Sequence, residues 1–169
     1  MSQKILIRNE IIHTLSETYY SFLKNIEWNN DLYLTGLREG KNKFLSNAYL
    51  HLCKGKYSIS NYQSKEALFI LNGENGIQKS GKLVFEHMVP KDRYIQKPCE
   101  ELAKLGELTS DFIYDLLEKY WFIATITKQE EKLLKTSKLM PTDWESKGHM
   151  ARYDNTKIEL IQNPIWVNQ

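Results

Sequence analysis

Apolar side chains at Ile7, Ile11, Leu15, Tyr19 and Phe22 recur about every four positions. That spacing puts them on one face of a helix and predicts a first helix over 3–24. Between Trp28 and Gly40 the pattern lapses at Asn29, Asn30, Gly36 and Gly40, so this stretch reads as a break. Phe44, Ala48 and Leu52 resume the helical spacing. They predict a second helix over 41–54, stopped at Gly55. A third, short helix is expected over 63–71, ahead of the turn cluster Asn72-Gly73-Glu74-Asn75-Gly76.

The pattern changes after Gly76. A short apolar run over 82–86 reads as a strand ending at His87, and Pro90 stops regular structure. Helical spacing returns over 99–105 and 109–120, where Phe112, Ile113, Leu116, Leu117 and Tyr120 form a stripe. Trp121 to Ile126 is aromatic and β-branched and reads as a second strand. Thr127, with Glu130 three residues on, predicts the capping box of a further helix. Its core side would carry Leu133 and Leu134. A loop around Met140-Pro141 and a last strand over 157–161 complete the chain. The expected class is α+β. A helical region over 1–76 would join a strand–loop–strand–helix region over 77–169 at the Asn72–Gly76 turn, each too small to fold apart from the other.

Composition narrows this little. Apolar residues make up 41% and charged residues 26% of the 169 positions, as expected of a globular protein with a real core. Basic residues number 23 and acidic residues 21, so overall charge gives no reason to expect nucleic acid. Any such case must rest on local clustering. Cys53 and Cys99 stand in no zinc-ligand spacing and fit free thiols in a reducing cytosol. The N-terminal run shows no signal-peptide pattern, and no stretch has the length of a membrane span. A cytoplasmic protein is expected.

The candidate chemistry lies at Glu86-His87-Met88-Val89-Pro90. A neutral imidazole suits a general base near pH 7, and a carboxylate suits magnesium. Side chains alternate along a strand, but a bent strand end can turn both groups toward one site. This run resembles the catalytic strand of HNH (His-Me finger) metal-dependent endonucleases: an acidic residue, His, two aliphatic residues and Pro. The resemblance covers 82–135. It implies a ββα-metal core, with Glu86 as a ligand of a divalent cation, magnesium in the first instance, and His87 as general base. It also implies a further ligand on the helix after the second strand. An Asn or His is usual there, but this chain has no Asn between Asn75 and Asn155 and no His between His87 and His149. Glu131 or Glu130 would have to serve, Glu130 having the capping box as a competing role.

Lys128, Lys132 and Lys135 follow helical spacing and could hold phosphates, as could Arg152 beside Tyr153. His149 is a lesser candidate ligand. Two readings follow. The first is a metal-dependent phosphodiester hydrolase acting on nucleic acid, DNA in the first instance, in phage defence or as a toxin. The second is a catalytically degenerate HNH-like binding or regulatory protein, working with a partner protein.

Overall fold

A computed structural model describes residues 6–73, 81–134 and 139–167. The first apolar stripe forms helix α1 (Arg8–Lys24), which buries Ile12, Leu15, Tyr19 and Leu23. The expected Ile11 and Phe22 flank this face and are partly buried. Helix α2 runs unbroken over Asp31–Cys53, so the expected break over Trp28–Gly40 covers only its approach. Asn30 caps α2 by accepting from the Tyr33 amide, and the exposed Gly36 and Gly40 stay helical. Lys54, in the left-handed region at φ 54°, ends the helix. Leu45, Tyr49 and Cys53 face the core, with Phe44, Ala48 and Leu52 beside them.

Strand β2 (Tyr62–Ser64) precedes helix α3 (Lys65–Asn72), where only a helix was expected. Strand β3 (Leu83–His87) is followed by a π-helical turn at Asp92–Gln96, helix α4 (Lys97–Leu105) and helix α5 (Ser110–Tyr120). Strand β4 (Ile123–Thr127) leads into helix α6, a single turn over Lys128–Glu131. The capping box is present: Thr127 accepts from the Glu130 amide, and Glu130 accepts from the Thr127 amide. Strand β5 (Leu160–Gln162) lies slightly later than the expected 157–161. Strand β1 (Leu6–Ile7) pairs in parallel with β6 (Trp166–Val167), joining the two ends of the described chain.

The main sheet has the order β3-β4-β2-β5. β4 is antiparallel to β3 and parallel to β2, so a strand from the first half of the chain lies inside a sheet built mostly by the second. Every residue of β4 is buried, which means both faces of the sheet are covered. On one face Ile123 and Phe85 join the helical core of Leu15, Tyr19, Tyr49, Ile113, Leu117 and Trp121. On the other, Ala124, Ile126 and Val84 meet Met88, Tyr153 and Ile158. The fold is thus mixed α+β, with helices on one side of the sheet and the C-terminal segment on the other. No helix among the described residues is long and apolar enough to cross a membrane.

Candidate functional site

β3 stands at an edge of the sheet, and its last two residues lean on opposite faces. Glu86 pairs across the ladder with Ala124, and His87 with Ile123. The strand stays regular through His87, so the alternation expected of a strand separates the two side chains. The bend that would have turned both toward one site is absent.

On the helical face, the His87 ring meets Trp121 edge-on with centroids 4.8 Å apart, and its Nε2 lies 3.3 Å from Ser46 Oγ on α2. Burial in this aromatic setting, and then the charge of Lys91, hold His87 down at about 3. It is neutral at pH 7 but a weak proton acceptor, since a general base works best with a pKa near the working pH.

On the other face, Arg152 Nη1 donates to Glu86 Oε1 at 2.7 Å, to the His87 carbonyl at 2.9 Å and to the Met88 carbonyl at 3.4 Å. The arginine side chain is only 2% exposed, so solvent scarcely screens this pair. Burial raises the Glu86 carboxyl above its ordinary value. Arg152 opposes that shift, and the charge of Glu131 adds to it.

The remaining expected site residues are dispersed. Glu130 is buried, and its Oε2 accepts from Ser64 Oγ and from the Thr127 amide, both at 2.7 Å. It is therefore a structural carboxylate that ties α6 to the start of α3. Glu131, Lys128 and Lys132 are exposed, and Lys132 already lies past the end of α6. Lys135 falls outside the described residues. Arg152 is expected at a phosphate, but the structure buries it under β3. His149 stacks on Phe122 at 3.8 Å, and its Nε2 lies 3.1 Å from Tyr62 Oη.

A divalent cation held by Glu86 with Glu130 or Glu131 does not fit these residues. Glu86 already has a cationic partner, and Glu130 is engaged by two donors. Among the described residues no three His, Cys, Asp or Glu side chains gather into a group able to hold a metal ion.

What the strand end does border is an open cleft of about 490 Å³, lined by Phe85, Glu86, His87, Pro90, Lys91, Asp92 and Lys97. Lys91 braces one wall: its Nζ donates to the Asn42 carbonyl at 2.6 Å and to Gln96 Oε1 at 2.8 Å. Lys97 is exposed at the start of α4.

No family model matches the chain, and no curated protein or solved structure matches it significantly.

The strand motif gives no sign of Lys91, Asp92, Lys97 or Ser46. One signal could have found the lysines: Lys91, Arg93 and Lys97 place three cations within seven residues, directly after Pro90. Ser46 carried no such signal, because only the packing of α2 against the strand end brings it to His87.

Proposed function

We propose that the protein is a nucleic-acid-binding module built on an HNH-like strand whose metal-dependent cleavage chemistry has been lost. The observation that carries this reading is the open cleft beside Glu86-His87-Met88-Val89-Pro90, flanked by Lys91 and Lys97. Lysines at such an edge can contact phosphates without reading sequence. The engagement of Glu86 by Arg152 and the low basicity of His87 argue against catalysis. A labelled DNA duplex, titrated at low salt and followed by fluorescence anisotropy, tests the reading. Wild type is expected to bind, and Lys97→Glu to weaken binding roughly tenfold, as expected when a phosphate contact becomes a repulsion. Equal affinities for the two would sink the assignment of the cleft.

A second reading, a magnesium-dependent endonuclease with His87 as base, has one observation in its favour. The charge of Glu131 helps to raise the Glu86 carboxyl. Supercoiled plasmid incubated with magnesium or manganese separates the two. Nicking by wild type that disappears in His87→Ala would establish the enzyme and overturn the binding module.

A further inference from the structure

The oxygens around Arg152 are of the kind a hard cation seeks. A carboxylate oxygen and two backbone carbonyls converge on one guanidinium nitrogen, at 2.7, 2.9 and 3.4 Å. Magnesium, manganese and calcium take the same mixture of carboxylate and carbonyl ligands. A terminal guanidinium nitrogen carries two hydrogens. The two short contacts use them, and the longest is the weakest of the three.

The arginine is also firmly seated. Its neighbours in sequence, Ala151 and Tyr153, are both buried. Ala151 packs with Val89 and Met140, while Tyr153 packs with Met88, Ala124 and Ile126. The apolar residues on either side of Arg152 therefore clamp the Met88-Val89 segment just past the strand and hold the guanidinium against the carbonyls. Moving it away would strip a nearly fully buried charge of its partners.

We infer that Arg152 is a built-in counter-ion: its guanidinium supplies the positive charge that a divalent cation would otherwise supply to Glu86, and the chain takes up no divalent ion there. The inference deepens the proposed function, and it rests on that reading only in treating Glu86–Pro90 as an HNH-like strand. Two differences from a metal follow. A guanidinium is a single charge that chelators cannot remove. It also offers no open coordination position where water could be activated. Ligands at the adjoining cleft would then bind equally well with and without a chelator.

Manganese provides the test, because a bound paramagnetic ion broadens nearby resonances. The full chain is labelled at its methionine methyl groups and titrated with Mn²⁺ while the Met88 methyl signal is followed by NMR. The Met88 carbonyl is one of the three oxygens, so this residue reports on the position directly. In wild type the Met88 signal is expected to keep its width. Saturable broadening of Met88 would overturn the inference. Arg152→Ala uncovers the three oxygens and is expected to bind Mn²⁺ at least tenfold more tightly than wild type, with Met88 broadened. A folded Arg152→Ala protein that ignores Mn²⁺ would also overturn it. If that variant does not fold, the wild-type titration alone decides. Failure to bind DNA with Met88 unbroadened would count against the cleft assignment and leave the role of Arg152 standing.

Discussion

At the scale of single residues, surroundings have redirected the chemistry that residue types suggest. An ordinary histidine is poised near neutrality, yet His87, packed on Trp121, is held at about 3. His149, stacked on Phe122, is held at about 4, first by burial and then by the charge of Arg8. Unfolded, both would take up protons below about 6.5. Folded, both resist. As the pH falls below 6.5 the unfolded state binds more protons than the folded one, so stability is lost. The urea midpoint is therefore expected to drop between pH 7 and about pH 5, the upper part of the window in which these two imidazoles differ between states. His87→Gln should show a shallower drop than wild type, with His149 accounting for part of what remains. A pH profile unaffected by His87→Gln would contradict an imidazole held neutral against Trp121. Glu130 was redirected in the same way: its carboxylate is held by Ser64 and the Thr127 amide, which leaves it a cap and a tie between α6 and α3.

At the scale of elements, α2 separates local propensity from tertiary context. Gly36 and Gly40 disfavour a helix by about 1 kcal/mol each, which is why the sequence suggested a break. The Asn30 cap and the packing of Leu34 and Leu37 against the core outweigh that cost. A Cβ at Gly36 would meet nothing within 4 Å. Gly36→Ala is therefore expected to stabilise the protein by about 0.5–1 kcal/mol, read as a higher thermal midpoint. A lower midpoint would mean that α2 is not helical there. Legibility followed the length of each pattern. The stripes of α1 and α5 and the capping box of α6 repeat a local signal and were readable from residues alone. The three residues of β2 are too few to carry a period, so they were absorbed into the helix that follows. The site was legible only in part. The strand ending in Glu86-His87 was readable, but the partners of those residues, Arg152 and Ser46, lie 66 and 41 positions away. No periodicity reports contacts at such separations.

At the scale of the whole molecule, the two halves expected from the sequence interlock. β2 completes a sheet that β3, β4 and β5 belong to, and α1 packs on α5 within one core. The cleft inherits this arrangement: β3 supplies its wall, and Lys91 reaches across to the carbonyl of Asn42 on α2. In the proposed function a fixed arginine would take the place of an exchangeable ion, and the lysines of the cleft would meet the ligand. Phosphate binding without metal is best read from the salt dependence of DNA binding in the presence of a chelator. The logarithm of the binding constant should fall linearly with the logarithm of salt concentration. Lys97→Ala should reduce the slope by about one, the signature of one lost phosphate contact. Binding that disappears on adding the chelator, or a slope that Lys97→Ala leaves unchanged, would contradict the account.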